Sequence, residues 1–137
     1  AFAYSENIEN IAIPSYVTTV SHGIFTSCTN LKKLQFPNTI SFSESLNECN
    51  YAEKITVNKD DIIIEWGDDN TYATELYLDK TIDTLDFFYE VYTVIDGFGK
   101  ITVEEGNENY SSDENGVLYN KDKTTLIRYP ENAPADL

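Results

Sequence analysis

Hydrophobic residues recur along the chain in short triplets, each with two apolar positions separated by one other residue. The triplets begin at Ile11, Leu34, Ile55, Leu76 and Ile101, so successive starts lie 23, 21, 21 and 25 residues apart. An apolar residue at every second position is typical of a β-strand that buries one face. We therefore predict one short strand per repeat unit. Because each strand is re-entered in the same direction, we expect parallel pairing.

The spacing of the triplets predicts a leucine-rich-repeat architecture, in which units of about 20 to 29 residues each contribute one strand. Stacked units would align the apolar positions in two ladders: Ile11, Leu34, Ile55, Leu76 and Ile101, and Ile13, Phe36, Val57, Leu78 and Val103. The fold class that we predict is a β-rich solenoid, a right-handed leucine-rich-repeat coil. Its parallel sheet would line the concave face, and short helical or irregular segments would form the convex face.

The middle and the end of the chain depart from this pattern. The third unit contains a strand-like run, Ile62 to Ile64, and we interpret it as a degenerate repeat. In the fourth unit, the spacing of Leu85, Phe88, Tyr92 and Ile95 favours a short helix. Residues 104–115 are acidic and predict a loop, whereas 117–120 and 125–129 predict two strands of a β-hairpin. We expect this C-terminal β-hairpin to cap the open end of the solenoid.

The length of 137 residues predicts a single leucine-rich-repeat domain over 1–137. Within it, 1–10 would be an N-terminal cap or the end of a preceding repeat, 11–105 the repeats, and 106–137 the loop and capping hairpin. The chain begins with Ala1 and contains no Met, which favours a processed or excised fragment.

Two stretches carry a family resemblance. The segment 11–37, IAIPSYVTTVSHGIFTSCTNLKKLQFP, resembles the repeat of the BspA-like (LRR_5 type) leucine-rich-repeat family. The segment 101–130, ending in GVLYNKDKTTLIRYP, is similar to a characteristic stretch of the same family. The resemblance implies an extracellular or cell-surface bacterial protein whose repeats serve adhesion or other binding. It also implies that the chain is not an enzyme, and we expect no cofactor.

The net charge of the chain limits the classes of molecule that it can bind. Nine Lys and Arg against 24 Asp and Glu give a net charge of −15, which repels phosphate backbones and anionic lipid headgroups. No apolar run approaches the roughly 20 residues of a membrane span. We therefore predict no nucleic acid and no direct membrane insertion. The binding role that the resemblance implies would then be directed to a protein or carbohydrate ligand.

Other motifs have an ordinary interpretation beside a functional one. Cys28 and Cys49 occupy equivalent repeat positions, and their spacing leaves both a disulfide and a pair of free thiols open. His22 is the single histidine, so it is the one possible histidine base and is more simply an exposed turn residue. Paired acidic residues such as Asp60 and Asp61 could serve a hydrolase, although a solvated turn is the simpler interpretation. The stretch 111–122 half-resembles a calcium loop but fits a hairpin better.

The outward positions of the predicted strands form the candidate ligand-binding site. They are Lys33, Gln35, Lys54, Thr56, Glu75, Tyr77, Lys100 and Thr102. The lysines could steer an anionic or polar ligand to the concave face. The alternative is ordinary charge balancing between neighbouring strands.

These observations lead to two hypotheses of function. The first is an adhesion module that recognises a host protein or a glycan through the concave strand face. The alternative is a structural spacer or oligomerisation segment of a larger surface protein, with weak self-association through the aromatic residues between 87 and 92.

Overall fold

A computed structural model of the chain describes residues 8–20, 31–42, 52–66, 74–86 and 98–130. Within these ranges the chain forms strands and turns and no helix. The strands are β1 (Asn10–Ala12), β2 (Thr19–Val20), β3 (Lys33–Pro37), β4 (Ser41–Phe42), β5 (Lys54–Val57), β6 (Asp61–Glu65), β7 (Thr74–Leu78), β8 (Phe98–Val103), β9 (Tyr110–Ser112), β10 (Leu118–Asn120) and β11 (Leu126–Arg128).

Six strands form the main sheet, in the order β1-β3-β6-β5-β7-β8. The pairs β1 and β3, β5 and β7, and β7 and β8 are parallel, which confirms the prediction for these strands. A smaller parallel pair joins β2 to β4, with Thr19 opposite Ser41. These two residues lie 22 positions apart, which is close to the 23 positions between Asn10 and Lys33 in the β1–β3 pair.

The prediction is wrong for the middle of the sheet, where β6 lies between β3 and β5 and is antiparallel to both. Four residues separate Val57 from Ile62, and a parallel crossover requires a dozen or more. The chain therefore turns back as a hairpin. The Asn58 amide N–H donates to the Asp61 carbonyl at 3.0 Å, and the Asn58 side-chain oxygen accepts from the Asp60 and Asp61 amides at 2.9 and 2.7 Å.

The core lies on one side of this sheet. Alternate residues of each strand point into it, as the apolar triplets predict, and Leu34, Ile55, Leu76 and Ile101 have no solvent exposure. Ile64 joins their ladder between Leu34 and Ile55. The second ladder contains Phe36, Ile62, Val57 and Leu78 as buried members, with Ile13 and Val103 packed at its ends. Each fully buried side chain of this kind contributes about 1.5 to 3 kcal/mol, so the two ladders provide the main stabilisation of the sheet.

The C-terminal region forms a three-stranded antiparallel sheet in the order β11-β10-β9. The two predicted strands are present as β10 and β11. The prediction of a loop over 104–115 is wrong in part. This segment contains β9, which pairs with β10 from Tyr110 to Ser112. The Tyr-Ser-Ser sequence of β9 has no apolar alternation. Its strand conformation comes from backbone pairing and from the Ser111 hydroxyl, which donates to the Asn120 carbonyl at 2.8 Å.

This C-terminal sheet covers the outer edge of β8. The Ile101 amide donates to the Gly116 carbonyl at 2.9 Å, and the Val103 amide donates to the Ser112 hydroxyl oxygen at 2.9 Å. Two donors on the last strand of the main sheet are thereby satisfied. An unpaired strand edge is a template for aggregation, so this cover protects the sheet.

Asn107 links the loop after β8 to the loop after β7, and it has an exposure of 1%. Its side-chain N–H groups donate to the carbonyls of Asp79 and Ile82, both at 3.1 Å. Its side-chain oxygen accepts from the amides of Asn109 and Tyr110 at 2.8 and 2.9 Å. All the polar atoms of this buried amide therefore have partners, as burial of a polar group requires.

Leu85, the first position of the predicted helix, belongs to no helix among residues 74–86. Several other predictions concern residues outside the described ranges: His22, Cys28, Cys49, Phe88, Tyr92 and Ile95.

Candidate functional site: the outer face of the sheet

The side of the six-stranded sheet opposite the core is called the outer face here. All eight side chains of the predicted ligand site belong to it, on strands β3, β5, β7 and β8. They alternate along each strand with the buried positions, which is why the pattern of the triplets could locate them. β6 adds three residues that the prediction missed, Asp61, Ile63 and Glu65.

The first row across this face alternates in charge. The strand register places its members in the order Lys33, Glu65, Lys54, Glu75, Lys100. Neighbouring strands lie ~4.8 Å apart, so each lysine has at least one carboxylate on an adjacent strand. Opposite charges in such positions contribute about 0.2 to 1 kcal/mol per pair. Three positive and two negative charges leave this row close to neutral.

The second row contains uncharged side chains in the order Gln35, Ile63, Thr56, Tyr77, Thr102. The ammonium of Lys54 lies 4.6 Å from the centre of the Tyr77 ring, within the range of a cation–π contact. The Thr102 hydroxyl donates to the Glu75 carboxylate at 3.0 Å. This row places one aromatic ring near the middle of the outer face, with an attached positive charge.

The third row lies at the end of the strands and is acidic. Asp61 pairs with Pro37 across β3 and β6, and Asp79 and Glu104 follow β7 and β8. The Gln35 amide donates to Asp61 at 3.4 Å, and the Thr81 backbone amide donates to Asp79 at 2.6 Å.

The acidic row affects the hydroxyl of Tyr77. Burial raises the pKa of Tyr77, and the charge of Glu104 and a hydrogen bond to its carboxylate raise it further. Asp79 and Glu75 act in the same direction at longer range. Because its pKa is raised, Tyr77 stays protonated at neutral pH.

The insertion of β6 changes how the predicted site must be understood. The sequence placed Lys33 and Lys54 on adjacent strands, and the structure separates them by Glu65. The signals for this strand were the alternation of Ile62 and Ile64 and the short Asn58–Asp61 turn before it. Together they predict a hairpin, which a strictly repeating template ignores.

The stretch 111–122, which half-resembles a calcium loop, contains the end of β9, the turn after it and β10. One carboxylate oxygen of Asp113 accepts from the amides of Asn115 and Val117 at 2.9 and 3.1 Å, and the other accepts from the Tyr119 hydroxyl at 2.8 Å. Burial alone would raise the pKa of Asp113, but these hydrogen bonds outweigh it and hold the pKa below its usual value. Both oxygens are thus engaged within the hairpin, in agreement with the hairpin interpretation.

No group of three His, Cys, Asp or Glu in the described ranges has a geometry suited to a metal ion. Among the same residues, no helix is long and apolar enough to cross a membrane.

Residues 1–86 match the family model described as BspA type leucine rich repeat region, in six copies. The chain belongs to this family. The motif resemblance is thereby confirmed for the first five-eighths of the chain, and the match ends before β8. No curated protein is significantly similar to the chain in sequence.

Two solved structures are similar to this leucine-rich-repeat chain. One is a leucine-rich repeat protein from Eubacterium ventriosum, with 18% identity and a TM-score of 0.46 over 93% of this chain. The other is the pneumococcal vaccine antigen PcpA, with 27% identity and a TM-score of 0.37 over 91% of this chain. The chain spans 40% and 26% of the length of these two proteins.

Proposed function

We propose that this leucine-rich-repeat chain is a non-catalytic binding module of a bacterial cell-surface or secreted protein. It recognises a host protein or a glycan through the outer face of its main sheet. The observation that carries this proposal is the continuous face of β3, β6, β5, β7 and β8, where polar, charged and aromatic side chains lie in register. Membership of the BspA-type family supports a place at the bacterial surface.

The proposal includes a right-handed solenoid with the outer face on its concave side. The parallel pairs at near-constant sequence spacing support it, because a coil that re-enters its sheet in one direction produces such pairs. The small β2 and β4 sheet would belong to a second wall of the coil. The inserted hairpin would then be a local interruption.

The size of the outer face limits what it can hold. The part of the outer face that carries the candidate site consists of five of the six strands and spans ~19 Å, and the distance from the first row to the third is ~13 Å along a strand. The product, about 250 Å², is well below the roughly 800 Å² that each partner buries in a standard protein interface. An extended peptide segment or a short oligosaccharide therefore fits this face better than a large globular surface.

A binding role suits this geometry better than catalysis. Acid–base chemistry by two carboxylates requires that they face each other across an enclosed substrate site. On the outer face, the carboxylates of Asp61 and Glu75 lie on an open sheet and accept hydrogen bonds from Gln35 and Thr102.

The test is a binding screen of glycans and host proteins with the purified chain, followed by two charge-matched variants. Lys33→Glu/Lys54→Glu alters the outer face, and Lys121→Glu/Lys123→Glu makes the same charge change on the exposed loop between β10 and β11. We expect the first variant to change the affinity for a ligand and the second to leave it unaltered. Equal effects of both variants, or no ligand at all, would refute the proposal. Sedimentation of the concentrated chain would then test the spacer or oligomerisation alternative.

A further inference from the structure

We infer that Asn115 is a site of covalent modification, where spontaneous deamidation forms isoaspartate and releases the C-terminal sheet from β8. The reaction takes place in the turn between β9 and β10 and not on the outer face, so this inference does not depend on the proposed function. Its co-reactant is water.

Asn115 is followed by Gly116, and this is the single Asn-Gly pair in the sequence. Deamidation begins when the backbone nitrogen of the next residue attacks the side-chain carbonyl carbon of an asparagine. A side chain on that next residue obstructs the attack, and glycine has none. Asn115 is also exposed, so water reaches its side-chain amide. The sequence therefore favours Asn115 over every other asparagine of the chain.

The chemistry requires no oxidant or reductant. The Gly116 nitrogen loses its proton and forms a bond to Cγ of Asn115, and the side-chain nitrogen leaves as ammonia. Water then opens the resulting succinimide ring at one of its two carbonyl carbons. Opening at Cγ gives aspartate with a normal main chain. Opening at the main-chain carbonyl carbon gives isoaspartate, in which Cβ and Cγ become part of the main chain.

Hydrogen bonds of the folded turn oppose this reaction. The Gly116 amide donates to the Asp113 carbonyl at 3.1 Å, and the Gly116 carbonyl accepts from the Ile101 amide at 2.9 Å. The Asp113 carboxylate also accepts from the amides of Asn115 and Val117 at 2.9 and 3.1 Å. Ring closure requires the Gly116 nitrogen to leave its hydrogen bond and approach the Asn115 side chain. The reaction therefore proceeds from states in which the turn has opened locally.

The isoaspartate product does not fit the native turn. Its main chain contains one additional carbon atom between the Cα atoms of residues 115 and 116. Gly116 packs closely on β8, since a Cβ atom there would lie 2.9 Å from Cα of Lys100. With so little space at this contact, a displaced Gly116 cannot keep both of its hydrogen bonds. Loss of the bond from Ile101 separates the turn from β8 and exposes part of that strand edge.

The test incubates the purified chain at mildly alkaline pH, both folded and in guanidinium chloride. Mass spectrometry with peptide mapping locates the modified residue, and an enzymatic assay measures isoaspartate. Asn115→Gln is the blocked variant, because its longer side chain does not form the five-membered ring. Asp113→Ala removes the carboxylate that holds the turn. Its matched control is Asp122→Ala, which removes the same charge from an exposed position of the loop after β10.

We expect modification at Asn115 in the wild type and none at this position in Asn115→Gln. Asp113→Ala should accelerate the reaction of the folded chain roughly tenfold, because three hydrogen bonds to a carboxylate are lost. Asp122→Ala should change the rate less than about twofold. Equal rates in these two variants would overturn the inference, as would earlier modification of another asparagine. If Asp113→Ala does not fold, the wild type decides, since equal rates in its folded and unfolded states would also overturn the inference.

Hydrogen exchange tests the release of the C-terminal sheet. Chromatography isolates the isoaspartate product, and Asn115→Asp supplies the aspartate product, which has the same charge and a normal main chain. The Ile101 amide should exchange roughly tenfold faster in the isoaspartate form than in Asn115→Asp. Equal protection of this amide in the two proteins would overturn the inference that isoaspartate releases the sheet.

Discussion

The contact between the C-terminal sheet and β8 depends on Gly116. Its φ is +80°, and a Cβ atom at this position would lie 2.6 Å from Cγ and 2.9 Å from Cα of Lys100, and 3.0 Å from the Ile101 nitrogen. Two of these three atoms belong to the backbone of β8 and cannot move aside independently. Gly116→Ala should therefore push the C-terminal sheet away from β8 and lengthen the 2.9 Å hydrogen bond from Ile101 to Gly116.

Gly106 provides a matched control. Its φ is +100°, so alanine is strained there as well, but the nearest atom to an added Cβ is a side-chain carbon of Lys80 at 4.0 Å. At both positions the left-handed conformation costs alanine about 1 to 2 kcal/mol. The reduced freedom of the unfolded chain returns about 0.4 to 1 kcal/mol. Gly106→Ala should thus lower the free energy of unfolding by about 1 kcal/mol.

Overpacking adds about 1 to 3 kcal/mol at position 116 alone, and the weakened hydrogen bond adds about 1 kcal/mol. Gly116→Ala should therefore be about 2 to 4 kcal/mol more destabilising than Gly106→Ala. Urea unfolding followed by circular dichroism measures the difference. With a slope near 2 kcal/mol per molar urea, the two midpoints should differ by about 1 to 2 M. Hydrogen exchange at the Ile101 amide should accelerate in Gly116→Ala only. Equal midpoints for the two variants would refute the close contact between this turn and β8.

Three further predictions concern the sheet, the loop after β8 and the β9–β10 turn. Ile64→Ala should lower the free energy of unfolding by about 2 to 5 kcal/mol, because Ile64 is 2% exposed, and Ile63→Ala on the outer face should cost less than about 1 kcal/mol. The reverse order in urea unfolding would contradict the register of β6. Asn107→Ala should cost about 2 to 4 kcal/mol by leaving buried polar groups unpaired, whereas exposed Asn115→Ala should cost less than about 0.5 kcal/mol by the same assay. The lowered pKa of Asp113 stabilises the fold above its usual value of 3.8, and this contribution should disappear as the pH falls through the folded-state pKa. Between neutral and acidic pH, the melting temperature should therefore fall less in Asp113→Asn than in the wild type. Equal falls in the two proteins would contradict the hydrogen bonds to Asp113 in this turn.

The apolar triplets were sufficient to predict the strands β1, β3, β5, β7 and β8 and their parallel direction where the repeats are regular. Alternation between a buried and an outward position is a local property, so it can be deduced from the residues of one strand. For the same reason, the eight residues of the candidate site were correctly placed on one face. Their function as a ligand site stays a prediction.

The neighbour of each strand could not be deduced in the same way. Ile62 to Ile64 predicted a strand, but insertion between β3 and β5 depends on the hairpin formed at Asn58–Asp61 and on the space that the core leaves for Ile62 and Ile64. The pairing of Glu65 with Lys33 and Lys54 follows from that insertion. The balance of positive and negative side chains on the outer face therefore depends on the tertiary structure.

In the C-terminal region, too, some features could be predicted from the sequence and others depended on the tertiary structure. The sequence by itself determined β10 and β11, because their apolar residues flank a polar turn. Only the tertiary structure determined β9 and the buried position of Asn107, since both depend on hydrogen-bond partners from other segments. Local periodicity thus specifies which side chains a strand buries. Long-range hydrogen bonds and packing specify which strand lies beside it, and hence which charges meet on the surface.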